Sequence, residues 1–247
     1  MIAHNQTPIL AGRRAAITGG TTGIGRAIAL RLAGEGATVF ICGRTQAHLD
    51  DALQAVRQVG TGDGMTIDLA GASNPAKFFA KAAEYLGGMD IAIINAAVPV
   101  GGLTEVTADE LHYAIAINFT ACVTSCHAAW KHMGKAGHIV LIGSTSAHSL
   151  APGSTIYAGM KAGIAGFSEA LTKELGPKGI RVSLVEPGRT SADLHEGELT
   201  DAEQREQVRQ GRMLQADDIA AGVRYLLTQP DHTIVQQLTI VPRRQED

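Results

Sequence analysis

Cysteine is scarce in this chain: 247 residues contain three, Cys42, Cys122 and Cys126. An odd count, in a chain whose first ten residues are too short and too polar for a secretory leader, points to reduced thiols and a cytoplasmic setting rather than a disulfide framework. Cys122 and Cys126 continue the apolar series Leu111, Ile115, Phe119. They are therefore expected as core thiols and not, together with His127, as metal ligands. Acidic clusters of the oxygen-ligand type are lacking as well. No apolar run approaches the ~20 residues needed to span a bilayer, which excludes a helical membrane span. There is no basic cluster, and the formal net charge is −3, so nucleic acid is excluded as a partner.

What is present fits a globular protein. Hydrophobic residues make up 45% and charged residues 18%, a balance that argues against disorder. A chain of this length fits one large α/β domain over residues 1–247. Residues 14–18 form a short apolar run that ends in Gly19-Gly20-Thr21-Thr22-Gly23-Ile24-Gly25, after which Ile24, Ile28 and Leu32 fall on one helical stripe. This is strand, glycine-rich turn, helix. Glycines at a helix N-terminus let backbone N–H groups approach a pyrophosphate, and the positive end of the helix dipole favours the anion. A second strand, 38–42, leads to Gly43-Arg44 and a helix carrying Leu49, Leu53 and Val56. In dinucleotide folds a carboxylate about twenty residues beyond the glycines binds the ribose 2′-hydroxyl, whereas an arginine accommodates a 2′-phosphate. Gly43 stands where the acid would be and Arg44 follows, which selects NADP(H) over NAD(H).

Further strands are expected at 65–67, ending at Asp68-Leu69; at 90–94, ending at Asn95-Ala96-Ala97; at 138–142, closed by Gly143-Ser144-Thr145-Ser146; at 180–185, followed by Glu186-Pro187-Gly188; and at 234–241. A long helix over 107–133 carries Asn118 beside its apolar stripe. Another helix starts at Tyr157 and stops at Gly176-Pro177. Residues 190–215 are polar and weakly patterned, with one short helix at 202–209, and read as a mobile lid. A last helix is expected at 217–227. Repeated strand–helix units with buried strands imply a single-domain, doubly wound Rossmann-type fold: a seven-stranded, mostly parallel sheet with helices on both faces, binding its ligand beyond the carboxyl ends of the strands.

Tyr157-Ala158-Gly159-Met160-Lys161 is the stretch with the sharpest chemistry. Positions four apart on a helix lie roughly 40° from each other, so phenol and ammonium share a face. At ~4–5 Å and an effective dielectric of ~20, the cation favours the phenolate by ~3–4 kcal/mol, enough to make a tyrosine a usable general acid or base. A chance pairing, with the aromatic packed under a solvated lysine stem, gives the same spacing. The rest of the chain decides between the two.

Thr18-Gly19-x-x-x-Gly23-Ile24-Gly25, Asp68, Asn95-Ala96, Asn118, Ser144, Tyr157-x-x-x-Lys161 and Pro187-Gly188, in this order and with thirteen residues from Ser144 to Tyr157, resemble the short-chain dehydrogenase/reductase family over nearly the whole chain. The resemblance implies an oxidoreductase that interconverts a carbonyl (ketone or aldehyde) and an alcohol by hydride transfer. Tyr157 would be the general acid or base, Ser144 would steady the carbonyl oxygen, Lys161 would support Tyr157 and bind the nicotinamide ribose, and Asn118 would hold a relay water. It also implies cofactor contacts at Gly19, Thr21, Thr22, Gly23, Ile24, Arg44, Asp68, Leu69, Asn95, Ala96, Tyr157, Lys161, Pro187, Gly188 and Thr190. Assembly as a homodimer or homotetramer follows by the same analogy, through the Asn118 and Tyr157 helices and the last helix and strand. Ala97 replaces a common glycine, and Ala192 replaces the threonine that contacts the carboxamide, with Thr190 as the substitute hydroxyl. The ending Gln237-Leu238-Thr239-Ile240-Val241-Pro242 resembles the branch acting on small hydroxy acids. Two other functions share the fold: a non-catalytic NADP(H)-sensing regulator, and a halide-eliminating relative with a Ser-Tyr-Arg set. Lys161 and the intact glycine turn argue against the latter, the full catalytic set against the former.

Overall fold

Successive residues of a strand face opposite sides of a sheet, so a strand apolar at every position needs cover on both. The computed structural model describes residues 9–191 and 199–245, and its central strands are of this kind. The chain alternates β1 (Arg14–Ile17), α1 (Gly23–Gly34), β2 (Thr38–Gly43), α2 (Gln46–Val59), β3 (Thr61–Thr66), α3 (Asn74–Leu86) and β4 (Met89–Ile94). It continues through α4 (Ala108–Ile115), a π-helical turn (Ala116–Thr120), α5 (Ala121–His132), β5 (Met133–Ile142), α6 (Ser146–Ser149), α7 (Thr155–Leu175) and β6 (Arg181–Pro187). The last described elements are β7 (Thr190–Ser191), α8 (Asp201–Arg209), β8 (Leu214–Gln215), α9 (Ala216–Leu227) and β9 (Gln237–Ile240).

Seven strands form one parallel sheet in the order β3-β2-β1-β4-β5-β6-β9. Alternation along the strands feeds two cores. Ile17, Val39, Ile41, Ile93 and Val140 pack with α1, α2 and α9 on one face, whereas Ala16, Phe40, Ala92, Leu141 and Leu184 pack with α3, α5 and α7 on the other. The doubly wound fold read from the sequence is therefore the one the chain adopts. The strand order reverses between β1 and β4, so a crevice opens at their carboxyl ends. At their opposite ends Arg14 closes the pair: its Nε and Nη2 donate to the Asp90 carboxylate at 2.9 Å each, and Asp90 also accepts its backbone N–H.

The sequence pattern leaves residues 70–89 without an element, yet α3 stands there. Its signals are Pro75 in the first turn, Gly87 in the left-handed region at its end (φ 70°), and Phe78, Phe79, Ala82 and Leu86 on the buried stripe. Strand β3 begins four residues earlier than expected because Gly62 and Gly64 disguise it. A Cβ on Gly62 would stand 2.6 Å from Val39 Cγ2, and one on Gly64 2.5 Å from the Ile41 carbonyl, so the glycines permit close packing. The long helix over 107–133 is continuous but changes pitch at Asn118, and β9 is shorter than the expected run. Within 190–215, Thr190 and Ser191 pair in parallel with Leu214 and Gln215, and α8 is fixed by a capping box between Thr200 and Glu203. Ala192 lies outside the described residues.

Candidate active site

The crevice begins at the turn after β1. Gly19 (φ 64°) and Gly23 (φ 49°) occupy the left-handed region, and a Cβ on Gly25 would lie 2.0 Å from the Gly19 carbonyl oxygen. Only glycine fits such a turn. The start of α1 carries no side-chain cap at Thr22 and no acid in its first turn, whereas α4 and α8 each have a capping box and two acids. The N–H groups beside Thr21, Thr22, Gly23 and Ile24 thus have the polarity of an anion site. Across the crevice, Asn95 locks β4 to this turn. The Thr18 hydroxyl accepts from the backbone N–H groups of Asn95 (2.9 Å) and Ala96 (3.1 Å), and Asn95 Nδ2 donates to the carbonyls of Thr18 (3.1 Å) and Gly19 (3.0 Å). The Asn95 side chain is therefore committed to holding the turn.

At the outer end, a Cβ on Gly43 would meet Thr21 Oγ1 at 2.3 Å, so an acid cannot stand there unless Thr21 moves. Exposed Arg44 donates from Nη1 to the Tyr113 hydroxyl (2.9 Å), which donates to Asp68 Oδ2 (3.2 Å). Asp68 Oδ1 accepts the Ala70 N–H, and Leu69 is buried beside it. Tyr113 escapes sequence reading, since no periodicity brings α4 to the turns after β2 and β3.

At the inner end, β5 delivers Ser144 and α7 delivers Tyr157 and Lys161. Lys161 is 4% exposed. Its Nζ donates to the Ile142 carbonyl at 2.9 Å and stands 5.4 Å from the centre of the Tyr157 ring. An ammonium so placed, with no ion pair among the described residues, projects its charge onto the tyrosine face. The Ser144 hydroxyl donates to Ser146 Oγ at 3.1 Å and accepts the Ser146 N–H at 3.1 Å. Asn118 sits buried in the π-helical turn, where its amide exchanges hydrogen bonds with both backbone groups of Val98 (2.9 and 3.0 Å). Such turns interrupt helices at functional places. Gly163 of α7 admits this turn closely, since a Cβ there would meet Phe119 at 2.9 Å. Cys122 and Cys126 are buried, in keeping with core thiols, and burial pushes the Cys42 thiol up to about 12.

Beside Gly143 lies a residue to which the sequence pattern assigns no role. Glu186 is completely buried, and its carboxylate accepts from His148 Nε2 (3.0 Å), Gln237 Nε2 (2.5 Å) and the Thr239 hydroxyl (3.4 Å). A charged residue inside the apolar run of β6 is the sequence signal for it. Pro187 accepts the Thr145 N–H through its carbonyl, and the Thr190 hydroxyl donates to the Gly188 carbonyl at 2.9 Å. Ser144, Tyr157, Lys161, Asn118 and Pro187-Gly188 thus belong to elements that meet at the carboxyl ends of β4, β5 and β6, with Gly19 to Ile24 and Asn95 after β1 and β4, and Arg44 and Asp68 after β2 and β3.

The chain matches the family model described as short chain dehydrogenase over residues 13–203. It is 30% identical to an uncharacterised oxidoreductase of Staphylococcus aureus over 241 residues, covering 95% of this chain and 99% of that protein. A dehydrogenase/reductase from Sinorhizobium meliloti superimposes with a TM-score of 0.85 at 34% identity, covering 96% of each chain. A short-chain dehydrogenase from Burkholderia cenocepacia, solved in complex with NADP, superimposes with a TM-score of 0.83 at 31% identity over 94% of this chain and 98% of that one. With the family's model, fold and crevice all present, the chain is an oxidoreductase belonging to the short-chain dehydrogenase family.

Proposed function

We propose that the protein is an NADP(H)-dependent enzyme that interconverts a small ketone or aldehyde and the corresponding alcohol, with Tyr157 as general acid and base. The observation that carries the reading is the buried Lys161 ammonium, pinned to the Ile142 carbonyl and facing the Tyr157 ring. When bound, the nicotinamide supplies hydride to the carbonyl carbon or takes it up in the reverse direction. Tyr157 gives its hydroxyl proton to the substrate oxygen as that oxygen gains charge, and Lys161 stabilises the negative charge left on the phenol. Ser144, whose hydroxyl rotates between Ser146 and the substrate side, donates to the same oxygen. Asn118 holds the π-helical turn against Val98 and α7, and so fixes the wall behind Lys161. Pro187, Gly188 and Thr190 frame the nicotinamide end, and residues 199–215 cover the substrate.

The residues fit the phosphorylated cofactor. The uncapped start of α1 suits a pyrophosphate, Gly43 leaves no acid to repel a 2′-phosphate, and Arg44 supplies a cation. The Burkholderia relative, solved with NADP, agrees with this choice. Absorbance at the nicotinamide band, followed across a panel of ketones, aldehydes and hydroxy acids with NADPH, NADH and their oxidised forms, tests the reading. Turnover that prefers the phosphorylated cofactor and disappears in Tyr157→Phe is the expected result. Undiminished turnover in that variant, or a clear preference for NADH, overturns it.

A further inference from the structure

Three side chains from three separate elements converge at the mouth of the crevice. Arg44 follows β2, Asp68 follows β3, and Tyr113 comes from α4, 69 and 45 residues away in sequence. The Tyr113 ring packs against the core beneath α4, so its position is set from below, while its hydroxyl emerges at the surface. Helix α4 is itself fixed at its start by the capping box in which Thr107 and Glu110 bond each other's backbone groups. The tyrosine hydroxyl is therefore a fixed post. It accepts from Arg44 Nη1 and donates to Asp68 Oδ2. Among the described residues Arg44 has no direct ion pair, and Asp68 is joined to it through the Tyr113 hydroxyl.

A free arginine on a surface samples many rotamers, and ordering it on binding an anion costs conformational entropy. Anchoring it beforehand removes part of that cost. We propose that Tyr113 is a positioning residue for cofactor selection: it holds the Arg44 guanidinium over the adenosine end of the crevice, ready for the 2′-phosphate of NADP(H). The inference rests on the reading of Arg44 given above and extends it to a residue on another element. Because the Arg44–Tyr113–Asp68 relay ends on a carboxylate, the donor and acceptor directions along it are fixed, and phenylalanine at 113 keeps the ring while removing the relay.

Calorimetric titration with 2′,5′-ADP and with 5′-AMP tests this without catalysis. The wild type should bind 2′,5′-ADP more tightly. Tyr113→Phe should weaken 2′,5′-ADP roughly tenfold, about 1.4 kcal/mol, and leave 5′-AMP within about twofold. In the Arg44→Ala background, Tyr113→Phe should cost nothing further. Equal losses on both ligands, no loss on either, or a loss that persists without Arg44 overturns the inference while leaving the NADP(H) reading standing. A wild-type protein indifferent to the 2′-phosphate overturns both.

Discussion

At the inner end of the candidate site the polar groups are held by buried contacts: Lys161 on the Ile142 carbonyl, Asn118 on Val98, Glu186 among His148, Gln237 and Thr239. At the outer end they are exposed side chains, Arg44 and Asp68, joined through one tyrosine hydroxyl. The inner end sits where β5 and β6 feed both cores and α7 packs on one of them, so changes to its buried contacts disturb chemistry and folding together. The outer end sits on turns, where side chains change at little cost to the fold. On the proposed function, the difference separates two kinds of specificity, a reaction built into the core and a cofactor choice built on the rim.

The contrast is sharpest at Tyr157. Tyr157→Phe removes only a hydroxyl, and turnover is expected to fall ~10²–10⁴-fold while cofactor binding, read by fluorescence titration, stays within about twofold. A similar fall caused by any outer-end variant would erase the distinction. Asn118→Ala should damage stability as well as rate, because both Val98 backbone groups lose their partner. A cost of roughly 2–4 kcal/mol, lowering the thermal midpoint by roughly 5–10 °C, is expected by calorimetry.

Gly43→Asp probes the rim where it touches the floor. The new side chain collides with Thr21, so the variant should lose about 2 kcal/mol of stability and lose NADPH binding without gaining NADH. Adding Thr21→Ala, which removes the contacts at 2.3 and 2.6 Å and leaves the one with the Thr21 Cβ at 2.9 Å, should recover part of the stability and admit NADH. Recovery of NADH use by Gly43→Asp alone would show that the floor yields more readily than the packing implies.

The smallest effect lies at the far end of β5, away from the crevice. Burial, reinforced by Arg181 and Arg13, pushes His138 down from 6.5 to about 3. Between those values the unfolded chain binds a proton that the folded protein refuses, so stability is complete above pH ~6.5 and declines as pH falls towards 3. Unfolding free energies from urea titrations at about pH 7.5 and pH 5 should differ by about 1–2 kcal/mol more in the wild type than in His138→Gln. Asp90 adds a loss at still lower pH. The Arg14 hydrogen bond holds its carboxyl below the usual range, so that contribution is present above pH ~4 and disappears as the carboxyl protonates.

Ser144, Tyr157 and Lys161 are legible in the sequence because their relation is local: four residues along one helix and thirteen residues from the strand end before it. The glycine turn is legible for the same reason, since it must lie between a strand and a helix. The two-sided burial of the strands likewise appears as unbroken apolar runs. Helix α3 had local signals too, in Pro75, Gly87 and the Phe78–Phe79 stripe. Strand β3 did not, because its glycines are there for their neighbours on β2 and α2. The π-helical turn at Asn118 needs Val98, twenty residues upstream, to give it a reason.

By itself the sequence determined the doubly wound sheet, the glycine turn between β1 and α1 and the nearness of the Lys161 ammonium to the Tyr157 ring, because hydrophobic period and helical spacing act over a few residues. Only the tertiary structure decided that Tyr113 would stand between Arg44 and Asp68, that Glu186 would be buried beside Gly143 with His148 as its partner, and that Thr21 would fill the space an acid at position 43 would need. Those relations join residues 22 to 69 positions apart. Hydrogen-bond geometry and close packing are properties of juxtaposed elements, and a one-dimensional pattern carries no record of which elements will meet.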